Sequence, residues 1–202
     1  MFKKWLVSLV LVLFSAIASA QQWQEDVHYK VVKPKANAQA GVVEIFSYWC
    51  PACYNFEGLV ATIKEKLPAD VKFSKAHLDT TRFNTLEIQE AATRAMLVAR
   101  AKRKEEAFNK LLFEEIHVNN NRIASADEMA TLIEKAGVSK ADYNKMYKSF
   151  GLNSGFKRNK KQIAGFSRVP TLLVNDKYQV IFTRDMTPDN IVELVVWLSQ
   201  QP

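Results

Sequence analysis

Cysteine is nearly absent from this chain: Cys50 and Cys53 are the only two in 202 residues, so no framework of long-range disulfides staples it. None is required, because a chain of this length with 48% hydrophobic residues buries a full core. Histidine is also scarce. His28, His77 and His117 show neither the pairing nor the spacing of a zinc finger, which argues against a Cys-x-x-Cys serving as half of a zinc site. No internal repeat, low-complexity tract or Gly/Ser linker divides the chain.

A long apolar run is missing too. The uncharged stretch Trp5–Ala18 falls short of the roughly 18 residues a spanning helix needs. It follows Lys3 and Lys4, ends at the small residues Ala18-Ser19-Ala20, and gives way to polar Gln21 and Gln22. This pattern predicts a secretory signal over residues 1–20, cut after Ala20, rather than an anchor. Acidic side chains are the minority, 21 against 28 basic, for a formal charge of +7. Removing the leader takes away Lys3 and Lys4 and no acid, leaving 26 against 21, or +5. In an exported protein that balance argues against nucleic acid as a partner. Lys157, Arg158, Lys160 and Lys161 form the densest basic cluster, read as a solvated helix face in preference to a patch for an anionic membrane or acidic partner.

The hydrophobic pattern changes in the middle of the chain and then changes back. His28–Val32 and Val42–Ser47 are short and rich in β-branched or aromatic residues, which predicts two strands. From Cys50, the residues Phe56, Leu59, Val60, Ile63 and Leu67 recur at helical spacing until Pro68. Val71–Leu78 reads as a third strand. Residues 81–155 look entirely helical, with an alanine-rich stripe at Ala91, Ala92, Ala95, Met96 and Ala99 and a second at Phe108, Leu111, Leu112 and Ile116. Ser125 with Glu128 predicts a capping box, and Ser139 a cap for a helix carrying Tyr143, Met146, Tyr147 and Phe150. A further helix near Ser154–Ala164 leads back to strands at Thr171–Val174 and Tyr178–Phe182, and a closing helix carries Ile191, Leu194, Val195 and Leu198. The expectation is an α/β domain made of residues 21–80 and 156–202, interrupted by an all-helical insertion over 81–155.

The chemistry sits in Cys50-Pro51-Ala52-Cys53. A disulfide closing so small a loop restrains the unfolded chain far less than a long-range one, so a purely structural role is the weaker reading. A cysteine at the start of a helix meets unpaired backbone N–H groups and the positive end of the macrodipole, and both favour the thiolate. Cys50 is therefore the expected nucleophile and Cys53, one turn further in, the resolving thiol. Pro51 suits the first turn because it has no N–H to leave unpaired.

With these residues assembled, Glu44-Ile45-Phe46-Ser47-Tyr48-Trp49-Cys50-Pro51-Ala52-Cys53-Tyr54, Arg168-Val169-Pro170-Thr171 and Val174-Asn175-Asp176-Lys177-Tyr178-Gln179 resemble the DsbA family of periplasmic disulfide oxidases. The resemblance spans nearly the whole chain after the leader, helical insertion included. It implies a thioredoxin-like fold with a mixed central sheet and an activity that donates the Cys50–Cys53 disulfide to folding exported proteins. It further implies a cis Val169–Pro170 peptide that faces Cys50 and helps hold the substrate strand, and a buried acid and lysine matching Glu44 and Lys75. Expected partners are unfolded exported clients and a quinone-linked membrane reoxidase of the DsbB type. The expected protein is a monomer with no metal and no cofactor beyond its own redox disulfide.

Ala52 departs from the family, whose best-known members carry a histidine there. A less stabilised Cys50 thiolate and a weaker oxidant are expected in consequence. Two other functions compete. A reductase or isomerase of this fold is one, although the 20 or so residues before the central strand are too few for the dimerisation domain such isomerases usually carry. A metallochaperone or peptide-binding chaperone, with the cysteines as ligands or bystanders, is the other.

Overall fold

The computed structural model describes residues 22–32, 40–79 and 84–202. The expected signal peptide with its cut after Ala20, and the expected start of the insertion at residue 81, lie outside these. Among the described residues, no helix is long and apolar enough to cross a membrane.

Five strands, β1 (Tyr29–Val31), β2 (Val42–Phe46), β3 (Phe73–His77), β4 (Thr171–Val174) and β5 (Tyr178–Val180), form one sheet in the order β1-β5-β4-β2-β3. Only β2 and β3 run parallel, so the sheet is mixed. Every residue of β2 and of β4 is buried. A strand covered on both faces reads as a continuous apolar run, which is what Val42, Val43, Ile45 and Phe46 supply; Glu44 is the exception.

Helix α1 (Pro51–Lys66) joins β2 to β3, and α7 (Pro188–Ser199) packs beside it on the same side of the sheet. Ile63 of α1 and Leu194, Val195 and Leu198 of α7 enclose Val42, Leu172 and Val174 in one apolar cluster. The chain enters α7 through a capping box made by Thr187 and Asn190, with Pro188 in the first turn.

Between β3 and β4 run α2 (Leu86–Ala101), α3 (Glu105–His117), α4 (Ala126–Lys135), α5 (Lys140–Tyr147) and α6 (Phe150–Ile163). The alanine stripe of α2 is fully buried, because small side chains let α3, α4 and α6 approach closely around it. The hydroxyls of Thr85, Ser125, Ser139 and Ser149 each accept from the backbone N–H three residues on and so fix four of these helix starts.

One boundary differs from the sequence expectation. Ser149 caps α6, which therefore begins at Phe150 rather than near Ser154 and carries Gly151 and Gly155 inside it. Phe150 is not part of the α5 stripe; it is the first residue of α6 and is 87% exposed. Residue 155, the expected end of the insertion, lies within this helix. The basic cluster also divides. Lys160 binds Asp79 at 2.7 Å and Glu90 at 2.9 Å, tying α6 to the end of β3 and to α2, whereas Lys157, Arg158 and Lys161 are exposed.

Candidate active site

The strand β2 ends at Phe46, and the chain turns through Ser47-Tyr48-Trp49 with the Cys50 N–H donating to the Ser47 carbonyl at 3.1 Å. Cys50 is the N-cap of α1, and Pro51 occupies the first turn. The Cys53 N–H makes a three-centre bond at the helix start, donating to the Cys50 carbonyl at 3.0 Å and to Cys50 Sγ at 3.3 Å. Cys50 is 6% exposed and Cys53 is fully buried, and both are free thiols. Burial pushes the Cys53 thiol far up, its hydrogen bond with Cys50 adds to this, and the nearby charges of Cys50 and Glu44 act in the same direction. The two sulfurs are thus unequal: Cys50 keeps a sliver of exposure and has an N–H donor aimed at it, whereas Cys53 is fully enclosed and held protonated. Pro51 and Ala52 are exposed and add no polar group to the site.

The Val169–Pro170 peptide, at the entrance to β4, is cis. Its Val169 carbonyl oxygen lies 3.8 Å from Cys50 Sγ, so residues 119 positions apart meet across the mouth of the site. Both Val169 and Pro170 are part-exposed.

Behind the motif lies a buried charge cluster. Glu44 and Lys75 face one another in the parallel β2–β3 register and form an ion pair, with Lys75 also binding Glu57 of α1 at 2.5 Å. Burial lifts the Glu44 carboxyl above the ordinary range, against the pull of Lys75. Burial alone would lower Lys75, but two carboxylates outweigh it and hold the ammonium charged. Among the described residues the second oxygen of Glu44 has no hydrogen-bond partner. Glu57 was not anticipated from the sequence, although its place one turn beyond Cys53 on α1 is a usable signal.

Aromatic rings from both parts of the fold close around this cluster. Phe46, Tyr48, Phe113 and Tyr54 make edge or tilted contacts with one another, and Lys75 Nζ lies 4.5 Å from the Phe46 ring centre. His77 is fully buried among them; its Nδ1 meets the Thr93 hydroxyl at 2.8 Å. Because that hydroxyl donates to the Gln89 carbonyl, His77 donates from Nδ1 and leaves Nε2 bare. His117, at the end of α3, reaches the Tyr48 carbonyl at 2.7 Å and stacks on Tyr54. Among the described residues, no group of three or more His, Cys, Asp or Glu is arranged to hold a metal ion.

A sheet of this order with an asymmetric dithiol at the tip of the first helix defines a thioredoxin-like thiol-disulfide oxidoreductase, and the family model described as Thioredoxin matches residues 28–195. The chain is 32% identical over 186 residues to the thiol:disulfide interchange protein DsbA of Escherichia coli K12, covering 89% of this chain and 86% of that protein. It is 29% identical over 197 residues to the protein of the same name from Pseudomonas aeruginosa, covering 94% and 90%. Among solved structures it is similar to Proteus mirabilis DsbA in complex with a non-covalently bound peptide PWATCDS, with a TM-score of 0.78, 26% identity and coverage of 89% of this chain and 99% of that one. The chain belongs to the DsbA family of thiol-disulfide oxidoreductases.

Proposed function

We propose that this protein oxidises exported proteins by handing them the Cys50–Cys53 disulfide. The observation that carries the reading is the Cys53 N–H aimed at Cys50 Sγ at the tip of α1, with the Val169 carbonyl on its open side. A client thiolate attacks Cys50 Sγ, the Cys50–Cys53 bond breaks, and Cys53 leaves with the bonding pair. Burial raises the Cys53 thiol, so this sulfur takes up a proton at once, and Glu44, itself lifted by burial, gives it, with Lys75 and Glu57 holding the carboxyl in place. A second client thiolate then attacks the client sulfur of the mixed disulfide. Cys50 departs as a thiolate received by the Cys53 N–H and the helix terminus. The client leaves oxidised by two electrons and the motif is left reduced.

In this reading Val169 and Pro170 offer backbone to an extended client segment. The similar Proteus mirabilis protein, whose structure holds a peptide containing a cysteine, supports it. Pro51 sets the first turn of α1, and Ala52 leaves the mouth unobstructed at the cost of a cationic neighbour for the thiolate. The protein works in the periplasm as a monomer with no metal or added cofactor, and a quinone-linked membrane reoxidase of the DsbB type restores its disulfide. Helix α3 of the helical insertion forms one wall of the site, through Phe113 and His117.

The test is a Cys53→Ala variant expressed with its leader in a Gram-negative host. It should accumulate mixed disulfides with exported proteins through Cys50, reversible by dithiothreitol, while a Cys50→Ala variant accumulates none. A cytoplasmic location for the leader-bearing chain, or no adduct in the periplasm, would end this reading. A potential of about −120 mV fits an oxidase, and one of about −270 mV would reassign the protein as a reductase.

A further inference from the structure

The turn that delivers Cys50 has a carbonyl that the sheet does not satisfy. β2 ends at Phe46, Ser47 accepts from Cys50, and Tyr48, fully buried, lies past the end of the strand. A buried carbonyl without a donor is costly, and the donor here comes from the other part of the fold. It is the ring of His117, the last residue of α3, with Nε2 2.7 Å from the Tyr48 oxygen. A carbonyl only accepts, so Nε2 carries the proton. The same ring stacks on Tyr54, with centroids 5.1 Å apart and planes 14° apart, and lies 6.0 Å from Phe113. Tyr48 precedes the motif and Tyr54 follows it; one imidazole from the helical insertion therefore grips both flanks of Cys50-Pro51-Ala52-Cys53.

We infer that His117 is a positioning residue for the redox centre, one whose hydrogen bond to Tyr48 favours the reduced form over the oxidised one. This rests on the oxidoreductase reading above. In the oxidised protein the sulfur–sulfur bond itself fixes Cys50 against Cys53. In the reduced protein that bond is gone, and the backbone of the turn, with the Val169 carbonyl at 3.8 Å, keeps Cys50 Sγ over the Cys53 N–H at 3.3 Å. Loosening the turn costs the reduced form more than the oxidised one. A dithiol form so weakened makes the disulfide a poorer oxidant. The effect is specific to the donor rather than to the ring, because stacking on Tyr54 alone leaves the Tyr48 carbonyl unpaired.

The experiment compares two substitutions by their equilibrium with glutathione. His117→Gln keeps an N–H donor near the Nε2 position, and His117→Phe keeps a flat ring without a donor. We expect the Phe variant to become less oxidising by about tenfold in the equilibrium constant, which is about 30 mV for a two-electron couple, and the Gln variant to stay within about threefold of the parent. A Phe variant within twofold of the parent, or Phe and Gln variants shifted alike, would overturn the inference. Should the Phe variant not fold, ring nitrogen spectra of the unaltered protein decide the matter. They should show Nε2 protonated and its signal displaced between disulfide and dithiol forms, and an Nδ1-protonated ring or an unmoved signal counts against it. A parent that fails to equilibrate with glutathione at all would instead remove the oxidoreductase reading on which this one stands.

Discussion

Glu44 and Lys75 sit opposite one another in the β2–β3 register, both almost without solvent, and Glu57 shares the same ammonium. Two acids share this one cation. Removing the cation is therefore far worse than removing one acid. Lys75→Met should cost about 3–5 kcal/mol, the range for a buried pair broken on one side. Glu44 already titrates above its unfolded value, and losing Lys75 lifts it further. A carboxyl raised in the folded state contributes stability that is fully present below its unfolded pKa and lost as pH rises through the folded one, so the deficit should be larger at pH 8 than at pH 5. Urea unfolding at both pH values measures this, and Glu44→Gln combined with Lys75→Met should recover much of the loss.

The inequality of the two thiols has a direct chemical readout. In the reduced protein at neutral pH, iodoacetamide should modify Cys50 and spare Cys53, which is fully buried and held protonated. Peptide mass mapping should find one equivalent on the native protein and two after unfolding. Equal labelling of both sulfurs in the folded state would contradict the asymmetry the mechanism needs.

Ala52 is exposed beside the thiolate position and contributes no donor. Ala52→His should make the protein a stronger oxidant, because a cation near 4 Å in solvent contributes about 1 kcal/mol, or about fivefold in the equilibrium with glutathione. The gain should fade in high salt and above the histidine's own titration, where the cation is lost. A change of the opposite sign would mean that the side chain disturbs the turn more than its charge helps.

His77 gives the fold an acid limit. Burial pushes its ring down to about 3, with the Lys160 charge acting the same way. A histidine with a depressed folded pKa contributes stability present above its unfolded value of about 6.5 and lost as pH falls toward the folded one. Thermal stability should therefore decline between pH 6.5 and 3, and His77→Leu should flatten that decline while losing the bond to Thr93. Differential scanning calorimetry of both proteins across this window checks it.

Much of the molecule was legible in local sequence. The apolar run around Glu44, the helical spacing that begins at Cys50 and the box formed by Ser125 and Glu128 each fixed an element through interactions spanning a few residues. The start of α6 was not, because Phe150 read as the end of the preceding helix's apolar stripe; the Ser149 cap and packing against α2 hold Gly151 and Gly155 in the helix despite their low propensity. Lys160 read as one of four solvated cations, and only its meeting with Asp79 and Glu90 sets it apart.

By itself the sequence determined the local frame of the dithiol, since two cysteines three apart at a helix start bring the first sulfur to the backbone N–H of the second through the geometry of a single turn. Tertiary structure alone decided what surrounds them. The Val169 carbonyl and the His117 ring reach the residues around the dithiol across 119 and 69 positions, and Lys75 meets Glu57 across 18. No local pattern encodes such meetings: they follow from the sheet order and from the packing of the helical insertion, where burial of apolar surface brings distant polar groups within hydrogen-bond range.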